Sequence, residues 1–359
     1  MQLHIIHVCR RFGPVGGMER YVWELTRELA SLGHSVEVLC EKNLCTEPLD
    51  GVAIHVLEKV PAKPRWLGYL IFSRRVHTWL IQHPIDRRII HSHERTQDHH
   101  ITTFHGPPFA TVHELPLWKR LSLRVKMNIW LEKRELYGRQ VQKIIPNSFY
   151  TQQQLQHYYP KIKPLLTVPI TPGVSPCEKR PARLVLNQKG VVGFIGKEWK
   201  RKGLQKAIDI LSELFKTRKE LTFLVAGPCP QDIQALFKHV PFNFQLLGEV
   251  ETANFYPQLD VLLHPASKEP YGMVITEALA SAVPVVISNA CGAAMEIHDK
   301  IGSVLSLEDD IQHWSHALDS WLNNANQNIS FHRTWKLIAK EHEAIYATIQ
   351  HQQPNPPSL

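Results

Sequence analysis

Apolar and polar positions along this 359-residue chain fall into two successive blocks of the same kind. Residues 3–9, LHIIHVC, form a short unbroken apolar run, and residues 18–32 then carry Met18, Tyr21, Val22, Leu25, Leu29 and Leu32 at helical spacing. A run without alternation fits a strand covered on both faces, while apolar positions three and four apart fit a helix with one buried face. Further strand-like runs lie at 35–40, 53–57, 88–91 and 101–104, and KIIPNS at 143–148 reads as a strand and turn that starts a helix over 149–158. The second block repeats the plan, with strands at 191–195, 221–226, 244–247 and 261–265 and a helix that turns Leu204, Ile208 and Leu211 inward. Strands alternating with helices predict open parallel sheets of the α/β class.

Between the blocks, residues 159–183 collect Pro160, Pro164, Pro169, Pro172, Pro176 and Pro181, a density that fits an interdomain linker. The expected division is a first domain over 1–165, a second over 166–329, a terminal helix over 330–350 and a disordered tail over 351–359. Two basic segments bear tryptophan, 64–80 and 116–136. In the second, Trp118, Leu121, Val125 and Ile129 recur at helical spacing among Lys119, Arg120, Arg124, Lys126, Lys133 and Arg134. That pattern serves either a helix lying on an anionic membrane or one packed on a sheet with its basic residues in water.

Charge is uneven: residues 1–165 hold 23 Lys+Arg against 14 Asp+Glu, and the remainder 18 against 19, so the first block carries all of the net +8. A basic half points to an anionic surface or substrate. A nucleic-acid-binding protein would share that charge, yet no helix-turn-helix, RNP or zinc-finger pattern is present. Six scattered cysteines lack metal-ligand spacing, and HSHERTQDHH at 91–100 has many histidines without a firm ligand pattern, so neither disulfide nor metal is expected. No run reaches the roughly 20 apolar residues of a membrane span, and residues 1–13 lack a signal-peptide pattern, which predicts a cytoplasmic protein.

The candidate chemistry centres on EPYGMVITEALA, residues 269–280. Glu269 and Glu277 flank the start of a helix whose N–H groups at Gly272, Met273 and Val274 suit a phosphate, with a carboxylate on either side for hydroxyls. A sugar nucleotide has that order of groups. Two glycine turns add to it. FGPVGGMERY, with Gly16 and Gly17, follows the first strand, and GKEWKRKG, with Gly196, Lys197, Arg201 and Lys202, follows the first strand of the second block. Glycines admit a phosphate close to the backbone, and fixed cations stabilise a departing diphosphate.

These motifs resemble the retaining glycosyltransferases of family 4 (glycosyl transferases group 1), and the KRKG loop resembles their lipopolysaccharide core glucosyltransferase branch. The resemblance implies a GT-B fold, two Rossmann-like domains with parallel sheets facing a central cleft, and transfer of a hexose from a nucleotide sugar, UDP-linked by that branch, to a hydroxyl. It implies no metal or cofactor and a front-face mechanism. In the family's terms Glu269 contacts the transferred sugar, Glu277 the nucleotide ribose, and Arg201 and Lys202 the diphosphate, with Lys197 where Arg is usual. Tyr271, Gly272, Met273 and Val274 line the donor site, and Gly248 of LGEV lies in the loop that meets the base. His105 of ITTFHGPP matches the strand-end histidine beside the donor sugar, Gly16 and Gly17 meet the donor phosphates, and Glu19 and Arg20 belong to the loop that helps shape the acceptor site. Apart from the resemblance, His93, Glu94 and Arg95 of the 91–100 run are expected to face the acceptor cleft. A glycolipid or lipopolysaccharide-core acceptor, with peripheral contact to the inner membrane face and no nucleic acid, completes that expectation. The alternatives are an epimerase or synthase on the same fold, or a basic nucleic-acid-binding protein.

Overall fold

The computed structural model describes residues 2–181, 185, 188–324 and 329–352. The chain divides into two compact units, Met1–Gly173 with Arg333–Leu359, and Val174–His332.

The first unit runs β1 (His4–Phe12), α1 (Met18–Ser31), β2 (Ser35–Asn43), β3 (Val52–Val56), α2 (Arg65–Gln82), β4 (Ile89–Ser92) and β5 (Ile101–Phe104). It continues with the single turn α3 (Leu117–Arg120), α4 (Leu123–Leu136), β6 (Lys143–Pro146) and α5 (Phe149–Tyr158). Its six strands are all parallel, in the order β3-β2-β1-β4-β5-β6. The apolar runs form strands because helices cover both faces: Ile5, Ile6, Val8 and Cys9 are all fully buried. In α1 the residues Tyr21, Val22, Leu25 and Leu29 are turned inward, as their spacing predicts.

The second unit runs β7 (Lys189–Ile195), α6 (Leu204–Leu214), β8 (Glu220–Ala226), the turn α7 (Pro230–Ile233), β9 (Asn243–Gly248) and the turn α8 (Thr252–Phe255). It closes with β10 (Val261–His264), α9 (Met273–Ala280), β11 (Val285–Ser288), β12 (Gly302–Leu305) and α10 (Ile311–Asn323). The order β12-β11-β10-β7-β8-β9 repeats the first sheet's topology. In each sheet the order reverses between the first and fourth strands, β1 and β4 or β7 and β10, and ligands of such folds collect beyond the carboxyl ends of strands at that point. The core on one side of the second sheet joins Phe194, Phe223, Leu211 and Trp314. A buried ion pair, Arg180 Nη2 to Asp260 Oδ1 at 2.7 Å, ties the unit's entry segment to the start of β10, and Asp260 Oδ2 also accepts from the Val191 N–H.

The last helix, α11 (Trp335–Gln352), belongs to the first unit, where it packs against α1. Ile338, Tyr346 and Ile349 are fully buried there, each contributing roughly 1.5–3 kcal/mol by leaving water. His342 Nδ1 donates to the Ile338 carbonyl at 2.9 Å, so its Nε2 accepts from Tyr21 Oη of α1 at 3.3 Å.

Three expectations change. The division falls at 173/174 rather than 165/166, because Leu166 bridges Ile144 and the Ile170 N–H donates to the Pro146 carbonyl, which lays this segment along β6. The first part of the proline-rich stretch is therefore packed, with Tyr159, Ile162 and Ile170 buried. Second, α11 starts at Trp335 and includes His351 and Gln352 of the expected tail; the remainder of that tail lies outside the described residues. Third, the 116–136 stripe is broken at Ser122, whose hydroxyl caps α4 by accepting from the Val125 N–H at 3.3 Å. Val125 then packs inward while Trp118 on α3 and Leu121 just after it stand in solvent. All six cysteines are free thiols, and no helix among the described residues is long and apolar enough to cross a membrane.

Candidate functional site

In the second unit, the site is assembled where β7 and β10 end. Gly203 caps α6 in the left-handed region, with φ +82°, and a Cβ there would lie 2.1 Å from the Pro265 carbonyl oxygen. Only glycine lets the 197–203 loop rest so closely on the end of β10. At Gly196 a Cβ would lie 2.2 Å from Lys202 Cδ, so the bare backbone leaves a path for the lysine stem. Along that path Lys202 Nζ reaches Glu269 Oε2 at 3.1 Å. Arg201 Nη1 reaches the same oxygen at 3.3 Å and also donates to the Lys268 carbonyl, while its Nη2 binds Glu198 Oε2 at 2.6 Å.

Glu269 is nearly buried, and its position is set by backbone. Residues 269–272 run as a short parallel extension beside 290–293: Glu269 N–H donates to the Ala290 carbonyl, Gly292 N–H to that of Glu269, and Ala293 N–H to that of Tyr271. Gly292 makes this approach possible, since a Cβ there would lie 2.0 Å from the Pro270 carbonyl oxygen. Burial pushes the Glu269 carboxyl up, but His264, Lys202 and Arg201 outweigh it and hold its pKa at about 2. His264, fully buried at the end of β10, places Nε2 3.5 Å from the same oxygen, and its burial lowers the pKa of the ring against the opposing pull of Glu269.

Gly272 caps α9, and Met273 and Val274 open its first turn, half-buried. Glu277 lies in the second turn, where its Oε2 accepts from Tyr256 Oη at 2.8 Å. Tyr271 is buried and donates to the Glu296 carboxylate at 3.1 and 3.2 Å. Lys197 is paired with Glu249, beside Gly248, on an exposed part of the loop, whereas Arg201 and Lys202 both lie on Glu269.

In the first unit, Gly16 has φ +67° and carries the Glu19 carboxylate folded over it, while a Cβ on Gly17 would meet nothing within 4 Å. Glu19 pairs with Arg11 at 3.6 Å and Arg20 with Glu24 at 3.9 Å. Neither lines the cleft of about 280 Å³ that opens beyond β4 and β5. That cleft is lined by His93, Glu94, Arg95, His105, Glu132 and Glu135 among others. Arg95 is anchored there by Asn128 Oδ1 at 2.7 Å and Glu132 Oε2 at 3.5 Å, with its guanidinium over the Tyr69 and Phe109 rings. Burial raises the carboxyl of Glu94 to about 7 and that of Glu135 to about 8.

Histidines gather behind His105. His93 Nδ1 lies 2.9 Å from His105 Nε2, and His7 Nδ1 lies 3.1 Å from His93 Nε2. His7, His91 and His93 bring one ring nitrogen each within 4.8 Å of the others, a grouping that could hold a metal ion. The 91–100 run alone shows no such set because His7 comes from another strand. Both ring nitrogens of His91 are already engaged, by Tyr346 Oη and Thr103 Oγ1, each at 2.7 Å. Sequence reasoning also missed His264 and Tyr256; of these only His264 carried a signal, as the last residue of a strand.

Comparison with known proteins agrees with this architecture. Residues 15–176 match the family model described as Glycosyltransferase Family 4, and residues 189–324 match that described as Glycosyl transferases group 1. The lipopolysaccharide glucosyltransferase WaaG of Escherichia coli (strain K12) is 23% identical over 325 residues, covering 82% of this chain and 83% of its own. A D-inositol 3-phosphate glycosyltransferase of Corynebacterium urealyticum is 23% identical over 386 residues, 93% of this chain and 88% of its own. The crystal structure of WaaG, a glycosyltransferase involved in lipopolysaccharide biosynthesis, superposes with a TM-score of 0.73 at 18% identity, covering 97% of this chain and 98% of that one. With both halves matched in the expected order on two parallel six-stranded sheets, the chain belongs to the group 1, family 4 glycosyltransferases of the GT-B fold.

Proposed function

We propose that this glycosyltransferase moves a hexose from a UDP-sugar to a hydroxyl of a lipid-linked or lipopolysaccharide-core acceptor, with retention at the anomeric carbon and without a metal ion. The observation that carries the reading is the convergence of Lys202 and Arg201 on Glu269 at the β7/β10 switch point. A nucleotide sugar leaves negative charge on its β-phosphate as the C1–O bond breaks, and two fixed cations in a largely buried site stabilise that charge most as it develops. Glu269, ionised across the physiological range, then takes sugar hydroxyls as a hydrogen-bond acceptor. Glu277, steadied by Tyr256, is assigned to the ribose, and the start of α9 from Gly272 to Val274 to the diphosphate. The acceptor oxygen bonds to C1 on the face from which the diphosphate departs, and its proton passes to a phosphate oxygen of the leaving group.

The 280 Å³ cleft of the first unit, with His105, Arg95 and the carboxyl groups of Glu94, Glu132 and Glu135, suits a hydroxyl-rich acceptor end. The acceptor's anionic part and its lipid belong elsewhere, on α3 and the start of α4. There Leu117, Trp118, Leu121 and Leu123 are 70, 71, 68 and 64% exposed, with Lys119 and Arg124 exposed among them. Apolar residues bare in solvent beside cations are what a peripheral contact with an anionic leaflet requires, and the proposal places the protein at the cytoplasmic membrane face. The activities of the lipopolysaccharide glucosyltransferase and the D-inositol 3-phosphate glycosyltransferase support glucose transfer on a lipopolysaccharide acceptor and, less directly, a phosphorylated inositol acceptor.

The test is thermal-shift titration with UDP, GDP, UDP-glucose, UDP-N-acetylglucosamine and GDP-mannose, without metal and then with magnesium. Saturable metal-free stabilisation by uridine nucleotides, lost in Lys202→Ala and Glu277→Ala, is the expected outcome. Stabilisation that requires magnesium refutes the metal-free reading. Stabilisation by guanosine nucleotides alone refutes the UDP assignment.

A further inference from the structure

The ring of His105 is the outer end of a buried file of three imidazoles. His105 Nε2 faces His93 Nδ1 at 2.9 Å, and His93 Nε2 faces His7 Nδ1 at 3.1 Å. His7 is fully buried in the middle of β1, His93 is nearly so just past β4, and His105 follows β5. Burial lowers the pKa of all three rings, His7 and His105 to about 3, so at neutral pH each is uncharged and carries a single N–H.

That single proton per ring leaves two self-consistent arrangements. In one, His7 Nδ1–H donates to His93 and His93 Nδ1–H donates to His105, whose own proton then lies on Nδ1. In the other every bond is reversed, His105 donates inward from Nε2, and the proton of His7 lies on its Nε2. The inner end decides between them. His7 Nε2 is buried and has no hydrogen-bond partner among the described residues. The first arrangement strands a lone pair there and the second strands an N–H, and a buried orphan N–H is the rarer and costlier of the two. At the outer end, His105 Nδ1 has no partner among the described residues, and the ring lines the cleft beside β5.

We infer that His7 and His93 are positioning residues that hold His105 as the Nδ1–H tautomer, so that it presents a hydrogen-bond donor to the cleft. Tyr21 packs edge-on against His105 with ring centroids 4.9 Å apart, and α11 fixes Tyr21 through His342. The ring is thus held in orientation by one set of neighbours and in proton placement by another. A donor on Nδ1 addresses the oxygen of a sugar hydroxyl or a carbonyl, and the file opposes the acceptor form. The functional consequence rests on the proposed role of His105 beside the sugar; the tautomer itself does not.

The experiment is a long-range proton–nitrogen correlation spectrum of the full chain labelled with ¹⁵N-histidine, with His105 assigned by loss of its signals in His105→Ala. His105 protonated on Nδ1 alone is the expected result; protonation on Nε2, or an even mixture, overturns the inference without any variant. In His93→Phe, with fold checked by near-ultraviolet circular dichroism, His105 should relax to a mixture and kcat should fall about 10-fold at little-changed donor KM, as for one lost oriented hydrogen bond. A wholly Nδ1–H His105 in that variant overturns the positioning role. So does metal analysis of the untreated protein that finds an ion on the file, since a ligated His93 nitrogen is withdrawn from it. If the spectra follow expectation but His105→Ala transfers sugar at the normal rate, the tautomer assignment stands and the functional reading of His105 falls.

Discussion

Replacing Lys202 by Met removes the cation nearest Glu269 while keeping a stem able to cross Gly196. Glu269 stands at a pKa of about 2 against an ordinary 4.5, and a displacement of that size is roughly 3 kcal/mol of differential stability. Lys202 shares that effect with His264 and Arg201, against the opposing pull of burial. A pair at 3.1 Å in an effective dielectric of about 20 attracts by roughly 5 kcal/mol before desolvation is subtracted. A net loss of about 2–3 kcal/mol at pH 7 is therefore expected. The sign with pH follows from the depressed pKa: the stabilisation is complete above the ordinary carboxylate pKa and is lost as pH falls from about 4.5 toward about 2. Urea unfolding of both proteins, followed by tryptophan fluorescence at pH 7, 5, 4 and 3, should show the gap narrow steadily below pH 5. A gap as wide at pH 3 as at pH 7 would refute the electrostatic account and assign the effect to the lysine stem's packing over Gly196.

Glu277→Ala should weaken uridine nucleotide binding by about 10-fold or more, read as a lost thermal shift, while Tyr256→Phe gives a smaller loss because it removes only the group that steadies the carboxylate. Gly203→Ala combines φ +82° with a Cβ 2.1 Å from the Pro265 carbonyl, so it should cost about 2 kcal/mol or more in denaturant unfolding and lower donor affinity by moving Arg201 and Lys202. Arg180→Met leaves Asp260 buried with one ionic partner gone and should destabilise by about 3–5 kcal/mol, measured by urea midpoint at pH 7. Trp118→Ala with Leu121→Ser should reduce cosedimentation with vesicles containing anionic lipid by roughly 10-fold and leave the nucleotide thermal shift unchanged; equal binding by the variant would remove α3 from the proposed membrane contact.

Ten of the twelve strands were legible because both sheets are parallel and covered on two faces, which writes a strand as a continuous apolar run such as VVGFI at 191–195, while the four-residue strands β11 and β12 were not read. The 149–158 helix was legible to the residue, since Ser148 supplies its cap by accepting from the Thr151 N–H. Arg201, Lys202 and Glu269 were singled out separately and lie together because Gly196 and Gly203 bring one loop onto the end of another strand. What stayed hidden has a common cause. Periodicity says which side chains share a face, not what comes to meet them: Tyr256 beneath Glu277, His264 beneath Glu269, and His7 behind His93 each reach their partner from a distant element. The stripe from Trp118 to Ile129 had correct spacing, yet a single serine cap divided it into a solvent half and a core half.

The return of α11 to the first unit also orders events during synthesis. Residues 174–332 must be made after Gly173 before the strand-and-helix face around Tyr21 and His91 receives its cover. At about 5–20 residues per second, that interval is roughly 10–30 s. Through it the first unit emerges with an uncapped apolar seam along α1 while the second unit, continuous in sequence, has all its parts at hand. The half of the molecule translated first is thus the half completed last, and chaperone dependence of newly made chains should concentrate on α1 and β4.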